Sequence, residues 1–119
     1  MATAGEIAAA YADWQVRCNG NRRLSRMLRN WDRTVHLVAS DTGDGFTVAV
    51  AGSVVADLRH GLLDAPDLVV TATSEDLCDL FWGDLNPSEK YVNGEIVLAG
   101  SSEDVLRLDA MSMVAFLDQ

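Results

Sequence analysis

Leu68 to Gly100 holds a strand, two capped helical segments and a second strand in immediate succession, which leaves little freedom in how the chain can be laid out. Leu68 to Thr73 is a β-branched run suited to a pleated, half-buried strand. Ser74 is placed to cap the next helix through its hydroxyl, with Glu75 and Asp76 where the positive helix end favours carboxylates. Leu77, Leu80 and Phe81 follow at helical spacing, and Gly83 can end the run in a left-handed conformation. Asn86-Pro87-Ser88-Glu89 has the form of a capping box with proline at the first helical position. Asn93-Gly94 then stops this short helix and launches a strand from Glu95 to Ala99.

The remaining segments fit around that block. Residues 3–17 read as a helix with an apolar stripe of Ile7, Tyr11, Trp14 and Cys18, and 22–31 as a second, arginine-rich helix after the turn Cys18–Asn21. Thr34–Asp41 and Phe46–Ala51 read as strands joined by the hairpin signal Thr42-Gly-Asp-Gly45, with Phe46, Val48 and Val50 on one face and Thr47, Ala49 and Ala51 on the other. A third strand spans about Ser53 to Arg59, and the loop Gly61 to Pro66 leads back to Leu68. The expected fold is α+β, with five strands, the first three an antiparallel meander, and helices before and after them. It forms a single domain over 1–119, divided into an N-terminal helical segment (1–32) and a core (33–117). The same strand-to-helix solution occurs twice, as Ala72-Thr-Ser-Glu-Asp-Leu77 and Ala99-Gly-Ser-Ser-Glu-Asp-Val105; two copies are too few for a repeat architecture.

The last helix, about Ser102 to Leu117, is apolar nearly all round. Leu106, Ala110, Met113, Val114 and Leu117 form the face expected to lie on the sheet, while Leu108, Met111 and Ala115 fall on the opposite side, with Val105 and Phe116 on a flank. Such a helix needs a second apolar partner: more core, another subunit, or a bound lipid. Two methionines suit a surface that must fit varied ligands.

Composition narrows the function classes. Hydrophobic residues make up 49% of the chain before its nine glycines are counted, a modest surplus over the roughly 45–50% usual with glycine included. No run of about 18 apolar residues is present to span a membrane, and the N-terminus lacks a positive start followed by an apolar core, so a cytoplasmic location is expected. Cys18 and Cys78 stand far apart without metal-ligand spacing and read as buried reduced thiols. A net charge of -9 argues against general nucleic-acid binding. Yet six of the nine basic residues lie between Arg17 and Arg33. A solvated helix face is the plainer reading of that cluster. The sharper one makes Arg22, Arg26 and Arg29 contacts for an anionic headgroup, such as the phosphates of coenzyme A or of a phospholipid.

Catalytic signals are weak. His36 sits in a strand and His60 at a strand end, neither within a recognisable nucleophile motif, and Asp57, Asp64 and Asp67 near His60 would make an acid–base pair only if the fold brings them together. No catalytic residue, cofactor or metal ligand is assigned. Trp82 reads as a core or rim aromatic.

From about residue 33 to 117, the strands, the Ser74-Glu-Asp helix, Gly83-Asp-Leu-Asn-Pro87, Gly94-Glu-Ile-Val-Leu-Ala-Gly100 and the apolar last helix together resemble the sterol carrier protein 2 family. The resemblance implies a five-stranded, mainly antiparallel sheet covered on one side by helices, with an apolar tunnel between sheet and helices. It also implies non-catalytic binding, transfer or presentation of a fatty acyl chain, acyl-CoA, or a sterol-like or polyketide-like molecule. By matching position, Leu85, Tyr91, Val92, Leu106, Met113 and Leu117 are expected near the lining, with Ala110 and Val114 on the same helix face. Tyr91 stands where the family usually has phenylalanine, and Asn93 where an apolar residue is common, so ligand choice can differ. Two alternatives use the same residues: a small cyclase or isomerase with Tyr91 as hydrogen-bond donor, and an accessory module for a lipid- or polyketide-processing enzyme. The accessory module would engage a second copy or its enzyme through the C-terminal helix.

Overall fold

Ala4–Asn19 (α1) begins at a complete capping box, in which the Thr3 hydroxyl accepts from the Glu6 N–H and the Glu6 carboxylate accepts from the Thr3 N–H. The computed structural model describes all residues, 1–119. α1 buries Ile7, Ala10, Tyr11, Trp14 and Cys18, the stripe expected from its spacing. The second helix, Arg22–Met27 (α2), is shorter than its pattern suggests, because Asn30 adopts a left-handed conformation (φ 57°) that turns the chain toward the sheet.

The strands are Arg33–Ala39 (β1), Gly45–Ala51 (β2), Val54–Val55 (β3), Arg59–His60 (β4), Leu68–Ala72 (β5) and Val97–Gly100 (β6). They form one sheet in the order β3-β2-β1-β5-β6, with β4 also paired to β2. β1 and β5 are parallel; every other pairing is antiparallel. Six strands replace the expected five because the third expected strand is interrupted. Val55 opposes Val50 and Arg59 opposes Thr47, so three residues on one side face two on the other, which is a β-bulge. Side chains of α1 take over the backbone groups around the bulge. Tyr11 Oη donates to the Ala56 carbonyl (2.5 Å), and Gln15 donates to the Val55 carbonyl (3.2 Å). Asn19 both donates to and accepts from Val55 (3.0 and 2.9 Å).

Ser74–Trp82 (α3) and Pro87–Val92 (α4) occupy the crossover between β5 and β6. The cap of α3 is Thr73, not Ser74: the Thr73 hydroxyl accepts from the Asp76 N–H, while Ser74 is fully buried. There Ser74 donates its N–H and hydroxyl to Asp41 and accepts from the Ala2 N–H, tying the N-terminus to the hairpin. Gly83 ends α3 at φ 83°, and Asn86 with Pro87 opens α4, both as their residue types require.

The last helix, Ser102–Leu117 (α5), runs opposite to its expected phase. Asp104, Met111 and Ala115 are its buried residues, whereas Leu106 is 69% and Leu117 67% exposed. The polar anchor Asp104 explains the reversal. Its carboxylate accepts from the Trp31 indole and from Arg33 Nε, both at 2.9 Å, which turns the Met111 side of the helix onto the sheet. The core lies between the sheet and α1, α3 and α5, and no helix is long and apolar enough to cross a membrane.

Candidate functional site

Alternation along the strands sends Val35 and Leu37 of β1, Val48 and Val50 of β2, Val70 of β5 and Leu98 of β6 to the helix-covered face of the sheet. They form the floor of a hollow. Tyr11 and Trp14 of α1 and Leu80 and Phe81 of α3 close one side; Pro87 and Tyr91 of α4 with Leu108 and Met111 of α5 close the other. Fifteen of the eighteen lining residues are hydrophobic, and Asp109 is the only charged one. The empty space, mouth included, is about 710 Å³, of which only about 70 Å³ admits the centre of a water-sized sphere. The larger figure counts solvent at the opening, so the sheltered part is much smaller than the roughly 300–1,000 Å³ typical of a ligand pocket.

The aromatic end is tightly built. Tyr11 meets Phe81 edge-on at 5.2 Å, and Trp14 lies 5.2 Å from Phe81. Burial pushes the Tyr11 hydroxyl well above its usual pKa, so it stays neutral and donates to Ala56. Cys18, behind it, is pushed up to about 12 by the same cause. It and Cys78 are free, buried thiols. The polar end lies between α4 and α5, where Ser88 Oγ donates to Asp109 Oδ1 (2.9 Å) and Ser112 Oγ donates to the Asp109 carbonyl (2.8 Å). A molecule in this hollow would meet hydrocarbon along most of its length, with the Asp109 carboxylate and the Ser112 hydroxyl at one edge.

Of the eight residues expected at the lining, Tyr91 alone is there. Leu85 and Val114 are half-buried and pack against the core from outside the hollow, and Met113 is half-buried. Val92 (81% exposed), Leu106, Ala110 and Leu117 face outward. The face assigned to the sheet is thus the outer face of α5, and Leu108 and Met111 from the other face reach the hollow. The strand residues of the floor were absent from the expected set, although their period-two alternation marks them. Arg22, Arg26 and Arg29 are exposed on and after α2 and do not line the hollow.

The remaining polar candidates have local roles. His36 Nε2 lies 2.8 Å from the Leu63 carbonyl, and Thr47 Oγ donates to the Gly61 carbonyl (2.7 Å), so both hold the 61–63 loop on the opposite face of the sheet. His60 stacks on Phe46 at 5.2 Å. Asp57 accepts from Gln15, Asp64 pairs with Arg59, and Asp67 accepts the Thr34 N–H. The carboxylate nearest His60 is Asp44, at 3.8 Å. Trp82 is 44% exposed and does not line the hollow, while Phe81 before it enters the core.

No family model and no curated protein matches the sequence. Solved structures do match the fold. A UbiJ-SCP2 ubiquinone synthesis protein superposes with a TM-score of 0.70 at 13% identity, covering 92% of this chain and 94% of its own. The sterol carrier protein domain 2 of Helicoverpa armigera gives 0.67 at 19% identity, over 91% and 85% of the two chains. The sec-alkylsulfatase Pisa1 from Pseudomonas sp. matches over 74% of this chain but only 13% of its own length, with a TM-score of 0.58 at 19% identity. The mixed sheet with helices on one face is the fold of sterol carrier protein 2 domains, with six strands here where the resemblance of the central block implies five.

Proposed function

We propose that this chain is a non-catalytic carrier that shelters an apolar molecule between its sheet and α4 and α5, with residues 1–119 acting as one unit. The observation that carries this reading is the hollow itself: fifteen hydrophobic lining residues and one carboxylate, at the place where sheet and helices part. Because the sheltered volume is small, a long chain would enter only as the helices over the sheet part from it. The two unpaired buried thiols fit a reducing compartment, the cytoplasm. The occurrence of this fold within a much longer sec-alkylsulfatase favours one second reading, in which the carrier holds its guest for an enzyme partner. Mass spectrometry of protein purified under native conditions is the direct test of the carrier. A co-purified hydrocarbon-rich molecule, released by organic solvent, is expected. An empty protein that also refuses a panel of fluorescent alkyl probes would end the reading.

Asp109 sets the expected preference among guests. A carboxylate at the rim of an apolar site disfavours an anionic head and accepts a hydrogen bond from a hydroxyl. A long-chain alcohol should therefore bind about tenfold more tightly than the fatty acid of equal length at pH 7. Asp109→Asn should bring the two affinities together. Equal affinities in the unaltered protein, by competition titration, would show that the head lies elsewhere.

A further inference from the structure

The outer side of α5 and the segment beside it form a surface for which the hollow has no use. Leu106, Ala110, Met113 and Leu117 repeat at helical spacing over twelve residues, a stripe about 16 Å long. Leu106 and Leu117 are about two-thirds exposed, at 69% and 67%. Residues 21–33 run antiparallel along one flank of this helix. Asn21 and Arg23 bond to Asp118 (3.1 and 2.9 Å), Arg107 donates to the Met27 carbonyl (2.6 Å), and Trp31 and Arg33 hold Asp104. That segment contains five arginines against one aspartate in a chain of net charge -9. Arg22, Arg26 and Arg29 are exposed, and none of them makes an ion pair. Of the acidic residues of α5 and its C-cap, Asp104 and Asp118 are paired with arginines, Asp109 is turned toward Ser88, and only Glu103, in the first turn, is free.

From this juxtaposition we infer that the outer stripe of α5, with the Arg22, Arg26 and Arg29 row, docks the protein on an anionic lipid bilayer. An apolar stripe flanked by arginines is the arrangement that settles at a headgroup boundary, its hydrocarbon side chains below and its guanidiniums on the phosphates. The placement also serves the carrier proposed above, on which this purpose rests. The inner side of the same helix, through Leu108 and Met111, lines the hollow, so a bilayer that draws on the outer stripe acts on one wall of the guest's site.

Vesicle co-sedimentation of the full chain tests the inference. The protein should bind phosphatidylcholine vesicles doped with phosphatidylglycerol, bind pure phosphatidylcholine only weakly, and be released as salt rises well above physiological strength. The triple variant Arg22→Gln, Arg26→Gln, Arg29→Gln should lose about 100-fold in partitioning. The double variant Leu106→Gln, Leu117→Gln should lose about tenfold or more. All five positions are exposed, so both variants should melt close to the parent. Vesicle binding indifferent to phosphatidylglycerol overturns the inference and points to an acidic protein partner for the arginines. Unchanged binding in the leucine variant overturns it as well, as does a dimer in light scattering that the leucine variant dissolves. Uptake of an alkyl probe added without vesicles reports on the hollow alone. If the protein takes up no probe yet still binds anionic vesicles with the stated variant effects, docking stands and the carrier reading is the one that fails.

Discussion

Placing phenylalanine at Val48 should abolish uptake of an apolar guest while leaving the chain folded. Val48 sits on the floor of the hollow in β2, opposite Val35 of the central strand, and is almost wholly buried. A benzyl group there has one direction in which to grow, into the space between sheet and helices. That space admits the centre of a water-sized sphere over only about 70 Å³. Because part of the ring fills existing space, the overpacking cost should fall toward the low end of the usual range, about 1 kcal/mol. Alkyl-probe affinity should fall by more than about 100-fold, a change larger than any effect expected at the rim. Two controls locate the effect. Val48→Ile should weaken binding only mildly. Ala49→Phe, one residue along on the opposite face of the same strand, should leave uptake unchanged. A Val48→Phe protein that melts normally and still binds the probe at parental affinity would mean that guests are held somewhere other than this hollow.

That test depends on period-two alternation, which is the part of the site most legible from sequence. Phe46, Val48 and Val50 declare their common face in a five-residue window, and so do Val35 and Leu37, because strand geometry alone puts alternate residues on one side. The capped segments of the central block are equally local, and Gly83, Asn86 and Pro87 stand in the roles their chemistry predicts. What local pattern does not contain is the phase of α5. A helix with leucine and methionine on both faces gives no indication of which face is covered. The phase is set by Asp104, whose partners Trp31 and Arg33 lie more than seventy residues away. The interrupted third strand has the same origin. Its residues read as a continuous strand, and the bulge exists because Tyr11, Gln15 and Asn19 of α1 take over backbone groups around it. The apolar stripe of Leu106, Ala110, Met113 and Leu117 is real, but it lies on a side of α5 that does not line this hollow.

If Asp104 fixes α5, its removal should be among the most damaging single changes in the chain. Asp104→Ala leaves the buried Trp31 indole N–H without an acceptor and removes the carboxylate beneath Arg33, whose guanidinium also lies 5.4 Å from the Trp31 ring centre. Orphaning a buried donor together with a charge-assisted bond costs about 2–3 kcal/mol. In a chain of this length that corresponds to a fall of about 8–12 °C in melting temperature. The pH dependence has a definite sign. The hydrogen bond from Arg33, and after it the one from Trp31, hold the Asp104 carboxyl below the ordinary aspartate range, against an opposing effect of burial. A carboxyl depressed in the folded state contributes stability that is complete above its unfolded pKa, near 4, and is lost as pH falls through the lower folded value. The parent should therefore lose stability on acidification below about pH 4 more steeply than Asp104→Asn, which keeps an acceptor for Trp31 but carries no charge to titrate. At neutral pH, Asp104→Asn should melt between the parent and Asp104→Ala. Thermal denaturation followed by circular dichroism from neutral to acidic pH measures both effects. An Asp104→Ala protein that melts within a degree or two of the parent would mean that hydrocarbon packing alone decides which face of α5 meets the sheet. The exposed stripe would then have to be explained by the lining residues Leu108 and Met111 themselves.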